Sequence, residues 1–175
     1  MNFLLLRDYF GQPCEGWLMS EKLDGWRVLW TGSDFVLRSG DVLNVPDSWK
    51  VGMPACQLDG ELFAGRGEFN TISTRIADGF DGLKFHVFDA PSALPFKRRI
   101  KALESMALPA HVELVAYQEC RDTEHLVEFA DAIVATGGEG AVVRNPKAKH
   151  ESGRTHSVLR WVPQLPKINR RKVAA

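Results

Sequence analysis

A chain of 175 residues with 45% hydrophobic, 25% charged and 10% aromatic residues has the composition of one globular domain able to bury a core, which excludes collagen-like, disordered and disulfide-scaffold proteins. Twenty-two Lys and Arg offset twenty-two Asp and Glu, so bulk charge cannot hold a nucleic acid and such a partner must meet an arranged patch. The charge is arranged: from Arg144 onward nine basic residues accompany one acid, Glu151, whereas the preceding residues carry thirteen basic and twenty-one acidic. Three cysteines, Cys14, Cys56 and Cys120, are odd in number and lack zinc spacing, which predicts a reducing, cytoplasmic setting.

In chain order, the apolar run 3–6 is cut short by Arg7 and Asp8. It has neither the length of a membrane span nor the basic region of a leader, so no membrane contact is expected. Residues 16–19 predict a short strand leading into a charged turn at 21–25. Strands at 27–31 and 34–38 flank Gly32-Ser33, a hairpin signal, and 56–64 and 83–89 are again strand-like. The last of these puts Leu83, Phe85 and Val87 on one parity and Lys84, His86 and Phe88 on the other. Helices are predicted over 95–106 and over 122–136, the second capped by Asp122 or Thr123 and ended by Gly137-Gly138. Strands at 112–118 and 141–144 follow, with no internal repeat and no linker. The fold is expected to occupy 1–163, and 164–175 reads as a basic tail carrying Lys167, Arg170, Arg171 and Lys172.

The sharpest local signal is Glu21-Lys22-Leu23-Asp24-Gly25-Trp26-Arg27. A lysine leaving a strand into a tight turn can face a pocket, and burial there makes its amine a nucleophile. Asp-Gly is also the commonest hairpin dipeptide, so a surface turn is the alternative on spacing alone.

Lys22-x-Asp24-Gly25-x-Arg27 resembles the nucleotidyl-lysine motif of the covalent nucleotidyltransferases: DNA ligases, RNA ligases and capping enzymes. Further segments resemble that family in order. They are Arg38-Ser39-Gly40, Asp59-Gly60-Glu61-Leu62 followed by Gly65-Arg66-Gly67, Phe85-His86-Val87-Phe88-Asp89, and Gly137-Gly138-Glu139-Gly140 running on to Arg144. Together with Ser20-Glu21 these flanks are most similar to the minimal bacterial and phage ATP-dependent DNA ligases. The resemblance implies an α+β fold of antiparallel sheets with flanking helices around a nucleotide cleft. It implies Lys22 as the residue that takes AMP from ATP, with Ser20, Glu21, Leu23, Arg27, Arg38, Glu61, Phe88, Val142 and Arg160 around the nucleotide. Glu61 and Arg27 would hold the ribose, Phe88 and Val142 would sandwich adenine, and Arg38 with Arg160 would face phosphates. Glu139 and Glu61 would hold Mg²⁺.

Two departures stand out. The family's last motif places Lys-x-Lys where this chain has Arg160 and Val162, and arginine is not a substitute for a compact ammonium. The family core also continues into an OB-fold, for which the twelve residues from Gln164 are too few. The resemblance therefore implies a monomer acting on nicked double-stranded DNA, without an OB-fold domain or with a protein partner in its place. A nucleotidyltransferase acting on RNA and a remnant that only binds nucleotide or nucleic acid are the alternatives.

Overall fold

The computed structural model describes residues 3–163. The basic tail expected over 164–175 lies outside them. In chain order the elements are β1 (Leu4–Asp8), β2 (Leu18–Glu21), β3 (Trp26–Trp30), β4 (Phe35–Leu37), β5 (Val42–Leu43), α1 (Asp47–Lys50), β6 (Leu58–Phe63), α2 (Ile72–Ala77) and β7 (Lys84–Asp89). They continue with α3 (Phe96–Glu104), β8 (Val112–Leu114), β9 (Gln118–Glu119), α4 (Thr123–Ala135), β10 (Ala141–Arg144) and β11 (Gly153–Trp161). The strands form two sheets, ordered β1-β11-β10-β2-β9 and β5-β4-β3-β6-β7-β8. Most pairs are antiparallel, as expected, but β1 runs parallel to β11 and β7 parallel to β8. The sheets are therefore mixed rather than purely antiparallel.

Alternation places the larger core. On β7 Phe85, Val87 and Asp89 are buried while Lys84, His86 and Phe88 are half-buried, the period-two pattern of a strand with two different faces. Phe85 meets Phe35 edge-on at 5.2 Å, Phe35 meets Trp30 and Trp49, and Trp49 meets Phe80. Aromatic pairs in such tilted arrangements add to the free energy of burial. A second core lies under the other sheet, where Met19, Ala141, Val143 and Leu159 pack with Leu126 and Ala130 of α4. Asp122 caps α4 by accepting from the His125 backbone N–H at 2.8 Å, as one of the two expected caps.

One expectation is corrected, and two strands appear that the sequence reading did not assign. The strand expected over 112–118 is two strands in different sheets, because Val115, Ala116 and Tyr117 carry the chain from β8 across to β9. The apolar run at the start is β1, and the stretch from Gly153 is the nine-residue strand β11, the longest strand among the described residues.

Asp89 is fully buried, with Arg99 bound through Nε at 2.6 Å and Nη2 at 3.0 Å and Arg144 Nη1 at 3.5 Å. Burial alone would raise its carboxyl, yet His150, Arg99 and Arg144 hold it at about 2. A carboxylate whose value folding depresses stabilises the fold at pH above its unfolded value, near 3.8, and loses that contribution as pH falls through about 2. The contribution is about 2 kcal/mol. Thermal melts should show stability falling across this window, and Asp89→Asn should flatten the dependence there.

Candidate active site

A cleft of about 270 Å³ opens between the two sheets. One sheet supplies Leu5 and Leu6 from β1, Ser20 and Glu21 from β2, Val142 and Arg144 from β10, and Arg154 and Arg160 from β11. The other supplies Arg27 from β3, Glu61 from β6 and Phe88 from β7. Lys22, Leu23, Arg38 and Val115 close the rim. Every residue expected around the nucleotide thus borders one cavity, and Arg144, Arg154, Leu5, Leu6 and Val115 join them. The floor is apolar, with Val142 packing on Leu4, Val158 and Leu6, while five arginines surround it. Such a mixture suits a ligand with a flat hydrophobic part and several negative charges.

Lys22 sits where the chain leaves one sheet for the other. Although Asp24-Gly25 reads as a hairpin turn, β2 and β3 do not pair, and 22–25 bridge the sheets. Gly25 is required by space: a Cβ there would collide with the Leu62 carbonyl and the Glu61 side chain. The Lys22 backbone N–H donates to Gly140 O at 2.8 Å, and its Nζ meets Glu139 Oε2 at 2.5 Å. Gly140 has φ +146°, and a Cβ on it would strike the Trp161 carbonyl. Glycine at this position lets the Glu139 loop lie against the end of β11.

Glu139 itself borders a second hollow of about 200 Å³ beyond Lys22, lined also by Glu21, Asp24, Phe63 and Arg66. The Glu21 carboxylate, expected beside the nucleotide, is held there by Arg66, with Nε and Nη2 each at 2.8 Å. Glu21 borders both hollows, but its charge is committed to Arg66.

Arg27 is also engaged. It donates to Asp59 through Nε at 3.0 Å and Nη2 at 2.6 Å and to Leu4 O through Nη1 at 2.7 Å, tying β3 to β6 and β1. Burial disfavours its charge, but Asp59 outweighs that and raises its pKa. With three donors occupied, Arg27 buttresses the cleft wall. Its guanidinium lies 5.3 Å from the Phe88 ring centroid, and that of Arg144 lies 4.9 Å away. Phe88 is therefore fixed by two cations and by the Tyr117 hydroxyl, which donates to its backbone carbonyl at 2.9 Å.

Glu61 is the most perturbed acid of the cleft. Burial raises its carboxyl to about 7, although Lys22 and Arg27 pull it down. Asp59 nearby pushes it further up. A carboxyl in this condition gains from hydroxyl donors or a cation. Arg160 reaches the cleft while its Nε donates to Asp8 Oδ1 at 2.6 Å, and Arg38, on the turn after β4, forms no ion pair among the described residues.

Among the described residues no cluster of three or more His, Cys, Asp or Glu forms a ready metal cage. Glu61 lines the cleft and Glu139 the hollow beyond Lys22, and single carboxylates of this kind commonly hold Mg²⁺ together with substrate phosphates and water. No helix among the described residues is long and apolar enough to cross a membrane.

The two-sheet cleft with a lysine at its rim is the fold of ligase adenylation domains. It superposes on a solved structure from a structure-function analysis of Lig E DNA ligases with a TM-score of 0.85 at 24% identity, covering 93% of this chain and 68% of that one. It superposes on Chlorella virus DNA ligase-adenylate with a TM-score of 0.76 at 16% identity, over 92% and 68%. A model of the ATP-dependent DNA ligase domain matches residues 50–161. A DNA ligase of Haemophilus influenzae is 38% identical over 167 residues, which are 91% of this chain and 62% of that protein. The chain belongs to the ATP-dependent DNA ligase domain family. It spans less than two thirds of that Haemophilus relative.

Proposed function

We propose that the chain is the adenylating part of an ATP-dependent DNA ligase that seals nicks in double-stranded DNA through AMP carried on Lys22. The observation that carries this reading is Lys22 Nζ in contact with Glu139 at the rim of a cleft ringed by arginines. On this reading the remaining cleft residues take the following roles. Adenine lies on the apolar floor between Phe88 and Val142, with Leu5 and Leu6 at its edge. Glu61 takes the ribose hydroxyls, and Arg38, Arg154 and Arg160 face the phosphates, where arginine forks pair well with phosphate oxygens.

In the first step Lys22, as the neutral amine, attacks the α-phosphorus of ATP. A nitrogen–phosphorus bond forms and the bond to pyrophosphate breaks. Mg²⁺, held by Glu139 and Glu61 with phosphate oxygens, would neutralise charge building on the phosphates. A 5′-phosphate oxygen at a nick then attacks the same phosphorus and frees Lys22. Finally the 3′-hydroxyl attacks the activated 5′-phosphate and AMP leaves. Every step is a displacement at phosphorus, so positioning and charge neutralisation supply the catalysis.

Sealing of a labelled nicked duplex with ATP and Mg²⁺ tests the reading. All-DNA nicks are expected to be joined faster than nicks with RNA on either strand. Preference for the RNA-containing nick would move the assignment to an RNA ligase, and covalent labelling without any sealing would leave an adenylating domain that needs further chain or a partner for the later steps.

A further inference from the structure

Cys14 and Cys120 are 106 positions apart in sequence, yet their Sγ atoms lie 3.5 Å from each other in the smaller core, both buried. Backbone bonds hold their segments together: Gly16 N–H donates to Cys120 O at 2.8 Å and Cys120 N–H to Trp17 O at 2.7 Å. Two thiols packed as small hydrophobes need no such alignment, which puts the sulfurs within about 1.5 Å of the covalent separation near 2.05 Å. Cys14 lies in an irregular loop with Pro13 and Glu15 exposed on either side, so opening that loop bares the thiol without unfolding a strand. We propose that Cys14 and Cys120 form a disulfide-bonding site, closed by a low-molecular-weight disulfide of the glutathione type.

Cys14, on the loop, is the entering thiol, and Cys120, whose backbone N–H and carbonyl are both bonded to the 16–17 segment, is the resolving one. The Cys14 thiolate attacks the oxidant and releases one small thiol. The Cys120 thiolate then attacks Cys14 Sγ in the mixed disulfide and releases the second. Two protein thiols are oxidised as one small disulfide is reduced to two thiols. The bond fastens the segment leading into β2, the strand that ends beside Lys22, to the junction of β9 and α4. By closing a loop of over a hundred residues it constrains the unfolded chain strongly. Cys56 is exposed and separate.

The test uses the full chain, incubated natively and, separately, refolded from denaturant with oxidised glutathione, then alkylated under denaturing conditions and mapped without reduction. A linked Cys14–Cys120 peptide is expected, leaving Cys56 alkylated or carrying glutathione. The melting temperature should rise by about 5 to 15 °C and return when a thiol reductant is added. Cys14 and Cys120 still free or only singly glutathionylated in both samples would overturn the proposal. So would a linked peptide that contains Cys56.

Discussion

Replacing both Arg160 and Val162 by lysine is expected to speed transfer of AMP to Lys22 by about ten- to a thousand-fold at equal ATP. Position carries the argument. Arg160 faces the cleft, Trp161 packs against the smaller core, and Val162, just past the end of β11, lies next to Gly140 in the loop that carries Glu139, where a Cβ on Gly140 would meet its Cα. The family resemblance places lysines at both positions. Here one is an arginine already bonded to Asp8 and the other an uncharged side chain. Removing one preorganised charge from a departing anionic group costs about 2 to 4 kcal/mol of transition-state stabilisation, and each 1.4 kcal/mol is about tenfold in rate. Single-turnover labelling measures the gain, with a melting curve beside it to separate a catalytic effect from damage to packing. A stable double variant with no gain would mean that Arg38 and Arg154 already supply the charge.

Asp89→Ala is expected to cost about 3 to 5 kcal/mol, because it leaves Arg99 and Arg144 buried with no counter-charge. Arg99 is 3% exposed and Arg144 5%, so water cannot take over from the lost carboxylate. The loss is large enough to lower the melting temperature by about 10 °C, and circular dichroism melts measure it. The same substitution reaches the cleft: Arg144 holds the Phe88 ring, so nucleotide affinity should fall in the variant at temperatures where it is still folded. Unchanged affinity would show that Phe88 is positioned by Arg27 and Tyr117 alone.

What the sequence made legible follows the range of each interaction. β10 is found at its full extent and α4 within a residue, because alternation and an Asp122 cap are local signals. β1 is missed because its pairing is parallel and joins Leu4 to Gly153, a partnership no short window displays; β11 is missed although it also pairs antiparallel with β10, because its first half, from Gly153 to Ser157, is polar and shows no apolar alternation. The same omission hid Arg154, which lies an even number of residues from Arg160 and needs β11 to be seen as a strand before the two share a face. Arg144 was within reach, since it lies two residues beyond Val142 on β10. Side-chain partners were less legible than positions. Arg27 and Glu21 do border the cleft, but their charges go to Asp59 and Arg66, pairings that cross between segments of the fold.

Lys22 is expected to become covalently joined to AMP. Incubation of the purified chain with ATP labelled at the α-phosphate and Mg²⁺, followed by denaturing electrophoresis and peptide mapping, measures this directly. The account predicts a label that survives denaturation, maps to the peptide containing Lys22, is lost in Lys22→Ala and is released by pyrophosphate. A label that persists in Lys22→Ala, or the absence of any label on a correctly folded wild-type chain, would contradict it.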